Sequence, residues 1–168
     1  MSKNRTHPTI STATADAASA TLLPFWQRPL AELNRQQWEQ LCDRCGRCCL
    51  VKLEDEESGE LYYSRLSCEL FDYATCRCRD YPNRSARVSG CIELTAAAAT
   101  LDWLPSSCAY RLRAANLPLP AWHPLISDRT DSVANAGIAV NCGIALSPAE
   151  LAQLPTPPDA EDFLIDPL

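Results

Sequence analysis

A chain of 168 residues with 46% hydrophobic but only 7% aromatic content falls within the ~100–200 residues of a single domain and supports a modest core. Its net charge of −6 and pI near 4.9 exclude a general nucleic-acid binder, which carries a strong basic bias. Ten cysteines, thirteen prolines and five glycines predict a loop-rich scaffold that gains stability from cross-links or bound metal.

Residues 1–21 are small and polar, rich in Ala, Ser and Thr, and are expected to form a disordered tail. His7 lies within it and is not expected to act as a ligand. No apolar run of secretory length follows Lys3 and Arg5, and nothing later approaches the ~20 apolar residues of a membrane span. The expected setting is therefore the cytoplasm, with no membrane contact. Dense cysteine usage in a reducing compartment indicates metal or redox chemistry more than structural disulfides; secretion would revive the disulfide reading.

The cysteine-cluster domain is expected over residues 22–154. Leu30, Leu33, Trp38 and Leu41 recur at helical spacing, with Asn34 able to cap a short helix that delivers the chain into Cys42. Trp38 is expected only to pack. Leu50–Leu53 and Leu61–Ser64 read as a β-hairpin around the acidic turn 54–59, which lacks the alternating oxygen ligands of an EF-hand loop. Turn residues punctuate 68–91, so this second set of cysteines should lie mostly on loops. A helix is predicted over Leu94–Leu104 from the Ala96–Ala99 run. A further helix, capped by Ser106 or Ser107 and running to Asn116, would place Cys108 in its first turn, where the helix dipole favours a thiolate. Residues 117–125 should run extended because of their prolines, Ile138–Val140 should form a short strand, and Ser147-Pro148-Ala149-Glu150 reads as a capped helix start. Residues 155–168 form a Pro-rich acidic tail, expected to be loose. The fold class predicted is a small, irregular α+β domain with short helices and a hairpin, stabilised by metal.

The chemistry centres on Cys42-Asp43-Arg44-Cys45-Gly46-Arg47-Cys48-Cys49. A thiol at every third position lets one short loop present sulfur three times to a single centre, as iron–sulfur and thiolate–zinc sites require. Gly46 suits a tight turn with little side-chain obstruction. Neighbouring side chains in an extended segment point apart, so Cys48 and Cys49 are expected to face different centres or different sides of one cluster. Cys76 and Cys78 could grip one metal together. With Cys68, Cys91 and Cys108 the candidate ligands are Cys42, Cys45, Cys48, Cys49, Cys68, Cys76, Cys78, Cys91 and Cys108. Nine thiols suffice for two four-thiolate sites with one spare, or for one polynuclear site. An iron–sulfur cluster is slightly favoured over zinc by the three-cysteine spacing.

Arg44, Arg47, Lys52, Arg77, Arg79, Arg84 and Arg87 are interleaved with the cysteines. They either donate to sulfur and offset the negative charge of a thiolate site or remain ordinary solvated side chains. Cys142 stands apart and is expected to pack in the core. His123, between Trp122 and Pro124, could supply a nitrogen ligand or move a proton, but a lone His in an apolar segment is more often structural. No phosphate-binding Gly loop, Gly-x-Ser-x-Gly elbow or His-Glu-x-x-His zinc helix is present.

These motifs, in order, carry a resemblance. Cys42-x-x-Cys-Gly-x-Cys-Cys-Leu50, Cys76-x-Cys78, Cys91-Ile92, Trp103-Leu104-Pro105, Ser107 to Leu112 and Leu119 to Leu125 resemble the YcgN-type bacterial family of the YkgJ-like Cys-x-x-Cys-x-x-Cys-Cys superfamily, over about residues 25 to 140. The resemblance implies a zinc- or iron-chelating domain. Similar cysteine domains in flagellin lysine methylases hint at an iron–sulfur cluster serving radical or redox chemistry. Three functions therefore stand: a metal-binding protein, an iron–sulfur redox or radical enzyme or electron-transfer accessory, and a zinc-stapled module that binds a protein partner.

Overall fold

The computed structural model describes residues 23–100 and 102–165, so the expected tail over 1–21, with His7, lies outside the described residues. The first helix, α1 (Arg35–Leu41), begins at the expected cap. The Asn34 Oδ1 accepts from the Gln37 N–H at 2.9 Å, and the Gln37 Oε1 accepts from the Asn34 N–H at 3.1 Å. This reciprocal pair satisfies two backbone donors that a helix start otherwise leaves open. Trp38 packs as expected: its ring lies 4.6 Å from that of Tyr110, whose hydroxyl donates to the Trp38 carbonyl at 2.7 Å. Leu41, wholly buried, closes the helix immediately before Cys42; burying a leucine side chain stabilises by about 1.5–3 kcal/mol.

Beyond the cysteine loop, β1 (Leu50–Glu54) and β2 (Leu61–Ser67) form the predicted antiparallel hairpin, with Lys52 opposite Tyr63 and an irregularity between Leu50 and Lys52. The acidic turn is tied by Asp55, whose Oδ1 accepts from the Glu57 N–H, the Ser58 N–H and the Ser58 hydroxyl. Its carboxylate is thus spent on closing a loop. Two short strands, β3 (Phe71–Asp72) and β4 (Arg77–Cys78), pair antiparallel around a turn in which Cys76 takes φ +52. Then comes α2 (Arg84–Arg87), so 68–91 is indeed mostly loop. The architecture is small and mixed α+β, as predicted.

Later elements differ from expectation in instructive ways. In place of a helix over Leu94–Leu104 the described residues of this stretch form only a 3-10 turn, Ala98–Thr100. Alanine's propensity is a weak prior, and a short helix persists only when a broad face packs; here Ala98 and Ala99 are buried while Ala96, Ala97 and Thr100 face solvent. Helix α3 (Ala109–Ala114) starts later than predicted, leaving Cys108 as its N-cap residue outside the first turn. Residues 117–125 are extended only in part, because Pro124 opens α4 (Pro124–Ser127); proline's fixed φ suits a first helical position. Ile138–Val140 forms no strand. It follows α5 (Ser132–Asn135) as a turn, and the Val140 N–H donates to the Cys45 carbonyl at 2.9 Å. Helix α6 (Pro148–Leu151) has the capping box expected of Ser147 and Glu150. Within the stretch expected to be loose, β5 (Leu164–Ile165) pairs with β2, giving a sheet of order β1-β2-β5.

The apolar interior is divided among three clusters. One surrounds Leu41, Ala109 and Tyr110, a second Leu50, Phe71 and Val140, and a third Cys45, Val133 and Ala139. The cysteine loop joins them: Cys42 packs against the first, Cys49 against the second, and Cys45 belongs to the third. Among the described residues, no helix is long and apolar enough to cross a membrane.

Candidate metal centre

The loop after α1 is shaped by two local devices. The Asp43 Oδ1 accepts from the Cys45 N–H at 3.0 Å, an Asx turn that curls the chain after Cys42. Gly46 takes φ +80 and caps the 3-10 turn Arg47–Cys49. A Cβ there would lie 2.8 Å from the Val140 Cγ2 and 2.9 Å from two ring carbons of Phe71, so the turn needs both the left-handed backbone and the missing side chain. All ten cysteines are unpaired.

The thiols fall into two neighbourhoods on either side of the Cys48–Cys49 peptide. Burial first, then the charges of Cys48 and Asp43 and, more weakly, of Cys108, push the Cys42 thiol up. Cys45 is likewise raised by burial, then by Asp43, Cys48 and Cys42. Cys108, which packs on the same cluster as Cys42, is pushed up to about 11 by burial, with the Arg111 and Tyr110 amides opposing and Cys48 and Asp43 adding to the rise. Cys42, Cys45, Cys48 and Cys108 thus share one neighbourhood. On the other side, Cys49 is raised by the hydrogen bond it donates to Cys48, by burial and by the charges of Cys48, Cys68 and Cys78. The Cys68 N–H donates to the Cys49 carbonyl at 2.8 Å, and Cys91 is raised by burial and by Cys68 and Cys78 while Arg84 lowers it. Cys49, Cys68, Cys78 and Cys91 form the second group.

Cys76 stands apart from both. It packs between the second and third apolar clusters and is raised by burial and by Cys142, while the Asn141 and Val140 amides oppose the rise. Cys142 itself is exposed, contrary to the expectation that it packs in the core; its Sγ lies 3.6 Å from the Ala134 carbonyl oxygen. Gly143, at φ +96, belongs to the turns that carry this segment over the surface.

Within the pair that joins the groups, the Cys49 thiol donates to the Cys48 sulfur, lowering the Cys48 thiol to about 7, with Lys52 acting in the same direction. The Lys52 Nζ is fixed above this pair by the Cys48 and Leu50 carbonyls, at 2.9 and 3.1 Å, and lies over the Tyr63 and Trp103 rings. Its neighbours among the basic residues have other partners. Arg47, though buried, donates to the Ile138 carbonyl and the Ser107 hydroxyl, Arg79 to the Phe71 carbonyl, and Arg87 to Asp80. Arg84 lies over the Tyr81 ring at 3.9 Å and also reaches the Cys91 thiol. It lines a cleft of about 400 Å³ with Trp38, Glu39 and Tyr81.

His123 proves structural. The buried ring faces the Leu41 carbonyl oxygen with Nε2 at 3.0 Å and accepts the Leu125 N–H at Nδ1, 3.1 Å away. Since Nδ1 accepts, Nε2 carries the proton, and neither nitrogen is free for a metal. What His123 does is hold the end of α1 in place just before Cys42. Burial lowers its pKa, outweighing the Leu41 carbonyl and Asp43, so the neutral ring is favoured.

Does this donor set fit a metal? The observation that bears on it is Asp43, only 8% exposed, whose Oδ2 is buried on the cysteine loop without a hydrogen-bond partner among the described residues. A buried carboxylate oxygen with no donor is costly unless a cation is near. The donor chemistry, thiolate with one carboxylate, suits zinc or iron. Among the described residues no three His, Cys, Asp or Glu side chains close around one point. Sequence reasoning passed over Asp43; the signal was there in its position two residues before Cys45, the spacing of an Asx turn.

The comparisons agree with this chemistry. Residues 41–109, which contain all nine candidate cysteines and exclude Cys142, match the CxxCxxCC family model, described as "Putative zinc- or iron-chelating domain". Over these residues the chain therefore carries a CxxCxxCC cysteine-cluster domain. A UPF0260 protein of Mesorhizobium japonicum is 46% identical over 145 residues, covering 85% of this chain and 96% of the relative. One of Azotobacter vinelandii is 48% identical over 149 residues, covering 88% and 97%, and one of Pseudomonas putida is 55% identical over 105 residues, covering 61% and 70%. The chain belongs to the UPF0260 family. No solved structure matches it significantly.

Proposed function

We propose that this protein binds metal in two four-thiolate centres, one held by Cys42, Cys45, Cys48 and Cys108 and the other by Cys49, Cys68, Cys78 and Cys91, with iron–sulfur slightly ahead of zinc. The observation that carries this reading is the partition of eight thiols at the Cys48–Cys49 peptide. Cys48 and Cys49 lie in one 3-10 turn with their sulfurs in hydrogen-bond contact, so the two centres would adjoin at this pair. Each four-thiolate centre carries a net charge of about −2, which Lys52 beside the first group and Arg84 beside the second help to offset. The reading keeps the cytoplasmic setting that dense cysteine usage without an apolar leader run suggests. When bound, the metal would supply a structural staple or, as an iron–sulfur centre, a redox couple.

Anaerobic purification followed by an absorption spectrum and elemental analysis of one sample tests this. Broad visible absorbance with stoichiometric iron and acid-labile sulfide is the expected result; a colourless protein with two zinc ions would keep the two centres and replace the metal. A protein without stoichiometric metal would overturn the proposal. A second reading, an iron–sulfur redox enzyme or electron-transfer accessory, draws on the cleft whose Arg84 wall also reaches Cys91. It requires a cluster that can be reduced and reoxidised without loss of iron, which redox titration measures.

A further inference from the structure

We propose that the Asp43 carboxylate is itself a metal ligand, binding the first centre through Oδ2 in place of one of the four thiolates assigned to that group. The inference rests on the metal-binding reading and names a ligand outside the nine cysteines. Asp43 uses one oxygen locally, accepting the Cys45 N–H at 3.0 Å. That bond fixes the side chain over the loop, and the second oxygen is buried without a partner in a residue more than nine-tenths buried.

No cation among the described residues serves that oxygen. Among the described residues, no salt bridge reaches Asp43, and the guanidinium of Arg47 is directed to Ile138 and Ser107. His123 cannot donate to it, because its one ring N–H faces the Leu41 carbonyl oxygen. Asp43 follows Cys42 in the chain and holds the Cys45 N–H, so its second oxygen sits on the cysteine loop itself. A buried carboxylate oxygen without a donor is costly unless a cation lies beside it. Zinc and iron accept carboxylate oxygen together with thiolate.

X-ray absorption at the metal edge, on the full chain as purified, reads the donors directly. For zinc, oxygen lies at ~2.0–2.2 Å and sulfur at ~2.3 Å. The informative substitution is Asp43→Asn, because its carbonyl oxygen can still accept the Cys45 N–H while the amide nitrogen in place of Oδ2 cannot ligate. The expected result is a light-atom shell in the wild type that disappears in Asp43→Asn, with an unchanged far-ultraviolet circular dichroism spectrum. Metal affinity, measured by chelator competition, should fall at least about tenfold, the lower end of what even an outer-shell partner is worth. An all-sulfur shell in the wild type would overturn the assignment while leaving metal binding intact, and that result stands even if Asp43→Asn fails to fold. So would a light-atom shell and affinity unchanged by the substitution. A wild-type chain without stoichiometric metal would overturn the metal-binding reading as well.

Discussion

Substituting Gly46 by alanine should destabilise the protein by about 2–5 kcal/mol, through two separable costs. The first is conformational: at φ +80 an L-residue pays about 1–2 kcal/mol relative to its favoured backbone. The second is steric, since the new methyl would lie 2.8 Å from the Val140 Cγ2 and 2.9 Å from two carbons of the Phe71 ring. Val140 is wholly buried and Phe71 nearly so, so neither can swing into solvent; overpacking of such a site costs about 1–3 kcal/mol. Gly59 provides the control. It has φ +70, but its added Cβ would meet only the Glu54 carboxylate, at 4.0 Å, so Gly59→Ala bears the conformational cost alone. Urea denaturation of both variants beside the wild type, with slopes compared, gives the two values. Gly46→Ala should also lower metal content, because the glycine sets the turn between Cys45 and Cys48. If Gly46→Ala costs no more than Gly59→Ala, the close approach of Val140 and Phe71 is not what fixes this loop.

Other predictions bear on the site and its supports. Cys45→Ala and Cys91→Ala should each remove about half of the bound metal by elemental analysis, as they fall in different groups; loss of all metal from either would indicate one polynuclear centre. Cys142→Ser should leave metal content unchanged and shift stability by no more than about 0.5 kcal/mol, as expected for an exposed side chain; a larger loss would mean that its sulfur is needed. His123 has a pKa lowered on folding, so below about pH 6.5 the unfolded chain binds the extra proton first. Its contribution is therefore fully present above that pH and declines as the pH falls below it. Urea midpoints from pH 7.5 to 5 should drop more steeply for the wild type than for His123→Gln, a comparison in which metal release by acid is common to both; parallel curves would refute it.

Much of the scaffold was legible where a side chain acts on its own neighbourhood. The Asn34 cap, the hairpin around the 54–59 turn, the Ser147–Glu150 capping box and the turn at Gly46 all rest on contacts or backbone preferences within a few residues. Helix prediction failed at Leu94–Leu104, where alanine propensity found too little face to bury, and at Pro124, where proline was read as a breaker although it opens a helix.

The sequence by itself determined that a short loop would present closely spaced thiols and that the chain would need short elements to carry the remaining cysteines; the expected divergence of Cys48 and Cys49 does not hold, because both lie in a 3-10 turn with their sulfurs in hydrogen-bond contact. Local covalent geometry and spacing suffice for such statements. Only the tertiary structure decided which distant thiols lie near which half of the loop: Cys108 feels the charge of Cys48, Cys49 that of Cys68 and Cys78, Cys91 that of Cys68 and Cys78, and Cys76 that of Cys142. It also decided that the His123 nitrogens are spent on Leu41 and Leu125, and that the Asp43 Oδ2 is buried without a partner. Burial and long-range hydrogen bonding depend on how three apolar clusters pack around the cysteine loop, and that packing is a property of the whole chain that no local pattern contains.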